Sequence, residues 1–277
     1  MSSHPPPEPL PRAVVDNHTH LDISRDGRDI TLGDLGPALA AAAAVGVHRV
    51  VQIGCDLPSA RFAVQAAQEY AGVVAGVALH PNEAPRLAAA GRLEAAYAEI
   101  AELATHPRVR VIGESGLDYF RTGPDGVAAQ QDSFRWHIAL ARRLGKPLQV
   151  HDRDAHEDVL RILAEEDAPP DTVMHCFSGD VAMARACVAR GYVLSFSGTV
   201  TFKNSRDLRN ALAVVPLEQV QVETDAPYLA PHPWRGKDNS PALLPQTVRV
   251  MAGVLGVSVA ELCEVTSATA QRLYGPW

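Results

Sequence analysis

Residues 13–22 read AVVDNHTHLD, and this stretch decides the fold. Its apolar, β-branched opening predicts a first strand over Ala13–His18. The residues just beyond that strand separate the two architectures open to a chain that alternates strands and helices. A doubly wound open sheet calls for a glycine-rich, phosphate-cradling turn there. The segment DNHTHLD at 16–22 contains no glycine, so a barrel is the better reading. In a strand, residues i and i+2 share a face, so His18 and His20 both aim to one side of the strand's carboxyl end. In a (βα)8 barrel the chemistry sits at that end.

Working outward, seven more β-branched runs predict strands at Val47–Gly54, Val73–His80, Val109–Glu114, Pro147–His151, Thr172–His175, Tyr192–Ser197 and Val220–Asp225. Ala- and Leu-rich stretches between and after them predict helices at 33–45, 59–71, 91–105, 126–144, 155–166, 180–189, 205–214, 241–255 and 258–273. Gly46, Gly72, Gly145 and Gly191 stand at or just past helix ends, where a left-handed residue is cheapest for glycine. Eight βα units match an α/β TIM barrel in count and size, and no Pro/Gly-rich linker divides residues 12–277. One barrel domain over 12–277 is expected, preceded by a proline-rich, disordered tail over 1–11.

The 277 residues are 47% hydrophobic and 21% charged, a composition that excludes a disordered chain and a disulfide miniprotein. The formal net charge of −7 removes a global basic surface as a basis for nucleic-acid binding, while leaving room for a local basic cleft or a metal-mediated contact with phosphate. Cys55, Cys176, Cys187 and Cys263 lie far apart without a CxxC pair, and are read as free thiols in a reducing compartment. The opening MSSHPPPEPLPR has no apolar core of a secretory signal, and the Ala-rich run 38–47 is too short to span a bilayer. A soluble, cytoplasmic protein with no membrane association and no obligate protein partner is expected.

The carboxyl ends of the expected strands carry His18 and His20, His80, Glu114, His151, His175 and Asp225, so five of the eleven histidines fall on one face. His80 alone reads equally as a substrate contact or as a hydrogen-bonded structural histidine. Glu114 follows the apolar run VRVI, where an unpaired carboxylate would cost several kcal/mol unless a cation stands beside it. Alternation puts Glu223 and Asp225 on one side, so one of them would ligate and the other support a ligand. His18, His20, Glu114, His151, His175 and Asp225 together exceed what one tetrahedral ion takes from protein, and two ions sharing a carboxylate use them economically. A binuclear centre is therefore expected. The mixed N/O set suits Zn²⁺ or Mn²⁺ better than Mg²⁺, which prefers oxygen.

The chain resembles the TatD-family metal-dependent hydrolases, often described as deoxyribonucleases. The resemblance runs from about Val14 to the C-terminus through DNHTHLD at 16–22, ALHP at 78–81, GESGLDY at 113–119, HDRDA at 151–155, MHCFSGD at 174–180, SFSGTVTFKN at 195–204 and ETDAPYLAP at 223–231. It implies that His18, His20 and Asp225 hold one metal, that His151 and His175 hold the other, and that Glu114 bridges them. Two positions depart from the family's pattern: Asn82 stands where a second histidine usually follows the proline, and Ser240 replaces a usual glutamate in GKDNSP at 236–241.

The resulting expectation is a divalent-metal-dependent deoxyribonuclease or exonuclease that cleaves phosphodiester bonds of single-stranded DNA or RNA. Two ions would activate a bridging water to hydroxide and polarise the phosphoryl oxygen, with Asp225 as proton acceptor and Glu114 as the shared catalytic carboxylate. His80, Tyr119, Arg153 and Lys203 are the expected substrate contacts, the last two chosen from Arg121, Arg153, Lys203, Arg206, Arg235 and Lys237 because they lie inside motifs. Tyr119, Phe120, Phe177, Phe202, Tyr228 and Trp234 fall near the same loops, where rings stack bases or cap the barrel. The same centre hydrolysing an ester or amide, such as an aminoacyl-tRNA ester, is one alternative; a catalytically silent binding barrel is another.

Overall fold

Each of the eight apolar runs forms a strand in the structure, a computed structural model that describes residues 6–277. The order is β1 (Val14–Thr19), α1 (Leu32–Ala44), β2 (Val47–Gly54), α2 (Leu57–Glu69), β3 (Val73–Val77), α3 (Glu83–Ala89), α4 (Leu93–Leu103), β4 (Val109–Asp118), α5 (Pro124–Leu144), β5 (Leu148–Arg153) and α6 (His156–Glu165). It continues with β6 (Thr172–Met174), α7 (Val181–Ala189), β7 (Val193–Phe196), α8 (Arg206–Leu212), β8 (Val220–Val222), α9 (Leu244–Leu255) and α10 (Val259–Tyr274). The strands form one parallel sheet in the order β1 to β8. It closes where the Asp225 N–H donates to the His18 carbonyl at 2.9 Å and the His20 N–H donates to the Ala226 carbonyl at 2.8 Å. This is the TIM barrel that the pattern predicts, and its seam lies at His18 and His20.

The strands are apolar on both faces because both faces are covered. Neighbouring residues divide between two layers: Val14, Val50, Val73 and Leu194 pack outward with the helices, whereas Val15, Val51, Val74 and Val193 fill the barrel interior. Leu273 and Tyr274 of α10 join the interior cluster. The Tyr274 hydroxyl reaches Asn17 and accepts from Gln149 Nε2 at 2.9 Å, directly beneath the candidate ligands. No helix among the described residues is long and apolar enough to cross a membrane.

The structure changes several expectations, and strands β3 and β8 end at Val77 and Val222, short of His80 and Asp225. Residues 1–5 of the expected tail lie outside the described residues, but Leu10 is buried in the core and its N–H donates to the Val45 carbonyl at 3.0 Å, so packing begins before residue 12. Helix α3 was not anticipated: a seven-residue segment with Pro85 in its first turn gives little periodic signal, although proline is tolerated there. Strand β4 runs past Glu114 to Asp118, because its ladder with β5 continues from Ser115 opposite Val150 to Asp118 opposite Arg153. Gly145 caps α5 with φ +61°, as expected, but Gly72 is not left-handed. A Cβ at Gly72 would lie 2.7 Å from the His48 carbonyl oxygen, so close approach explains that glycine.

Candidate metal centre

All six expected ligands converge at the carboxyl end of the barrel. His18 comes from β1 and His20 from the residue after it, Glu114 and His151 lie within β4 and β5, and His175 and Asp225 stand just beyond β6 and β8. Glu114 is the pivot, since its two oxygens face different partners. Oε1 lies 3.6 Å from His18 Nε2 and 3.5 Å from His20 Nε2. Oε2 lies 3.0 Å from both His151 Nδ1 and His175 Nε2. Asp225 Oδ1 completes the first group, 3.4 Å from His20 Nε2 and 3.9 Å from His18 Nε2. Donors about 2.1 Å from a four-coordinate ion stand about 3.4 Å from one another, which is the scale of these separations.

Hydrogen bonding fixes which ring nitrogens carry protons. His18 Nδ1 faces Gln149 Oε1 at 2.7 Å, His20 Nδ1 faces the Ile53 carbonyl at 3.0 Å, and His175 Nδ1 faces Glu223 Oε1 at 2.9 Å. Each partner is an acceptor, so each Nδ1 is the donor and the neutral rings turn their Nε2 lone pairs into the cluster. With both rings neutral, the Nε2 atoms of His18 and His20 would meet at 3.2 Å with no proton between them. Lone pairs and carboxylate oxygens converging in a buried space repel unless a cation stands among them. The donor set therefore fits a divalent ion.

The titration behaviour says the same thing in another form. Burial disfavours the His20 imidazolium, yet Asp225 and Glu114 outweigh it and push the group up to about 10. Burial likewise opposes charge on His175, but Glu223 and Glu114 raise it well above the ordinary value. Glu114 is held well below the carboxylate range, against its burial, by His175, His151 and His18. Ionised carboxylates in this site draw in positive charge from whatever source is present.

Several residues that support the centre were not singled out from the sequence. Gln149 orients His18 and is fixed in turn by the Asn17 carbonyl and the Tyr274 hydroxyl, both at 2.9 Å. Its signal was a glutamine two residues before His151, hence on the same face of an otherwise apolar strand. Buried Asp16 accepts from the Thr224 N–H at 2.9 Å and from its hydroxyl at 2.5 Å, anchoring the segment that presents Asp225. Burial raises the Asp16 carboxyl to about 7. The Cys55 thiol donates to Glu114 Oε1 at 3.2 Å, and all four cysteines are free, as expected. Glu223 takes the supporting role foreseen for one of the two strand-end acids.

The expected substrate contacts fare unevenly. The His80 ring lies 4.5 Å from that of His151, at the edge of the cluster, and burial with the neighbouring His151 lowers it to about 3. Arg153 stacks over the Phe120 ring at 3.9 Å, and Phe120 and Tyr228 are the exposed large hydrophobics among the described residues. Lys203 is exposed in the loop before α8. The Tyr119 hydroxyl turns away, donating to Asp158 Oδ2 and accepting from Gln131 Nε2, each at 2.7 Å, so it ties β4 to α5 and α6. Phe177 and Trp234 are buried and offer no stacking face. Asn82 donates to Asp118 Oδ2 at 3.0 Å. Beside Ser240, buried Asn239 clamps the Thr224 and Tyr228 carbonyls at 2.8 and 2.7 Å, so this loop braces the Asp225 segment.

Comparison with known proteins agrees with the geometry. A family model described as TatD related DNase matches residues 15–275. A protein of Mycobacterium tuberculosis named as an uncharacterized metal-dependent hydrolase, TatD, is 47% identical over 266 residues, covering 95% of this chain and 98% of its own. The similarly named YcfH of Escherichia coli is 39% identical over 267 residues, covering 94% and 95%. The crystal structure of YJJV, a TatD homologue from Escherichia coli, shares the fold with a TM-score of 0.85 at 24% identity, over 94% of this chain and 97% of that one. The chain belongs to the TatD family of metal-dependent hydrolases.

Proposed function

We propose that this hydrolase is a two-ion phosphodiesterase that shortens single-stranded nucleic acid, DNA in the first instance. The observation that carries the two-ion reading is the division of Glu114, one oxygen toward His18 and His20, the other toward His151 and His175. His18, His20, Asp225 and Glu114 Oε1 would hold the first ion; His151, His175 and Glu114 Oε2 the second. Divalent ions held there supply Lewis-acid activation of a water and of the phosphoryl oxygen. The mixed imidazole and carboxylate set favours Mn²⁺ or Zn²⁺.

The remaining work falls to the chain. Asp225 stays ionised beside His20 despite its burial and accepts the proton of the attacking water. Arg153 over Phe120, and Arg235 over Phe202 at 4.4 Å, join a cation to an aromatic face, which suits a phosphate with its attached base. The exposed Tyr228 ring, 6.4 Å from His20, adds a further stacking face beside the cluster. Free cysteines are compatible with a cytoplasmic setting.

The test is a substrate panel with Mn²⁺-replete protein: a 3′-labelled single-stranded DNA, the matching RNA, an aminoacyl ester and a small carboxylic ester, with Glu114→Ala as blank. The DNA should be shortened in a chelator-sensitive way, while the blank leaves it whole. An intact oligonucleotide alongside rapid ester turnover would overturn the phosphodiester reading in favour of the ester one. Inertness toward every substrate would favour the binding barrel.

A further inference from the structure

The two donor groups around Glu114 are unequally built. The first has four donors, and both of its imidazoles are held at Nδ1 by buried acceptors. The second has three. Within it, His175 is braced by Glu223, which is itself fixed by the Ser195 hydroxyl at 2.5 Å and the Cys176 N–H at 2.8 Å. His151 is the outlier, its side chain 17% exposed against 0% for His18 and 4% for His20 and His175. Its Nδ1 faces Glu114 Oε2 at 3.0 Å, and with that nitrogen turned to an ion the ring's proton would stand on Nε2. That buried Nε2 has no well-formed hydrogen bond, and Asp118 Oδ2 stands 3.5 Å away.

Asp118 is itself closely held. Its Oδ1 accepts from the Arg121 N–H at 2.9 Å and its Oδ2 from Asn82 Nδ2 at 3.0 Å. The Asn82 carbonyl oxygen accepts from the Thr122 hydroxyl at 2.9 Å and the Gln130 amide at 3.4 Å. A carboxylate that accepts the outer N–H of a ligating imidazole fixes the ring's rotation and makes it a better donor. Here the carboxylate's own place depends on a neutral amide, that of Asn82.

We propose that Asp118, set in place by Asn82, is the positioning residue for His151 and thereby governs the affinity of the second ion independently of the first. This rests on the two-ion reading of the centre. Asp118→Asn leaves the His151 Nε2–H facing a neutral amide, and Asn82→Ala frees the carboxylate from its anchor.

The experiment titrates metal-free full-length protein with Mn²⁺, following bound ion by calorimetry and free ion by electron paramagnetic resonance. The wild type is expected to show two classes of site. Both variants should weaken the second class by roughly 10- to 100-fold while leaving the first unchanged, the range typical for loss of a ligand's outer partner. Thermal unfolding of the metal-free variants reports folding, with Asn82→Ala the milder change. Two classes in the wild type with an unaltered second class in both variants would overturn this proposal alone. Joint weakening of both classes would also overturn it, as a purely structural effect. A wild type that takes up a single ion would overturn the two-ion reading and this proposal together.

Discussion

At Asp225 the backbone turns left-handed, with φ +53°, where a β-branched or bulky side chain would be strained but Asp and Asn are tolerated. The turn follows from the seam of the barrel, since the Asp225 N–H must reach the His18 carbonyl while its side chain faces His20. Asn at this position keeps the turn and one ligating oxygen but loses the base. Asp225→Asn should therefore lower the hydrolysis rate by about 10²–10⁴-fold while retaining part of the metal, read from single-turnover kinetics beside elemental analysis. A near-normal rate would remove Asp225 from the chemistry. The candidate ligands were legible in the sequence because each interrupts or ends an apolar run. Gln149, Asp118 and the Ile53 carbonyl were not, since their roles depend on which side chain the neighbouring strand places opposite them.

Strands β4 and β5 carry Glu114 and His151 side by side, and their pairing depends on Gly116. That residue has φ +145°, and a Cβ there would sit 2.0 Å from the His151 carbonyl oxygen, a backbone atom that cannot step aside. Gly116→Ala should destabilise the fold by at least about 2 kcal/mol through backbone strain and displacement of β5. Thermal melting should show a drop of several degrees, and metal affinity should fall with it. An unchanged melting temperature would show that β5 yields more easily than the packing implies. All eight strands were readable, because a barrel strand covered on both faces is a continuous apolar run. Strand ends were less so: β4 extends four residues beyond its expected end at Glu114 because hydrogen bonds to β5 hold residues 115–118 in the ladder. Helix α3 went unread because so short a segment carries no amphipathic period.

Across the whole molecule, the net charge of −7 coexists with a buried site whose carboxylates and imidazole lone pairs demand cations and whose rim carries Arg153 and Arg235. The global sum is silent about that local arrangement. A second whole-molecule property comes from buried His137. Its Nε2 accepts from the Leu79 N–H at 3.1 Å and its Nδ1–H donates to the Ser133 carbonyl at 2.7 Å, which holds the segment entering His80. Burial lowers this imidazole to about 4, whereas the unfolded chain protonates near 6.5. The unfolded state thus binds more protons between these values. The contribution is complete above about pH 6.5 and is lost as pH falls toward 4, amounting to about 3 kcal/mol over the window. His137→Gln, which preserves a donor and an acceptor, should flatten the acid side of the melting temperature against pH. An equally steep fall in the variant would assign the acid sensitivity to other groups.

In the proposed centre one carboxylate, Glu114, joins two ions. Elemental analysis of metal-reconstituted, dialysed protein tests it most directly. Wild type should retain two divalent ions per chain and Glu114→Ala should lose both, whereas two ions retained by Glu114→Ala, or one ion in the wild type, would contradict the account.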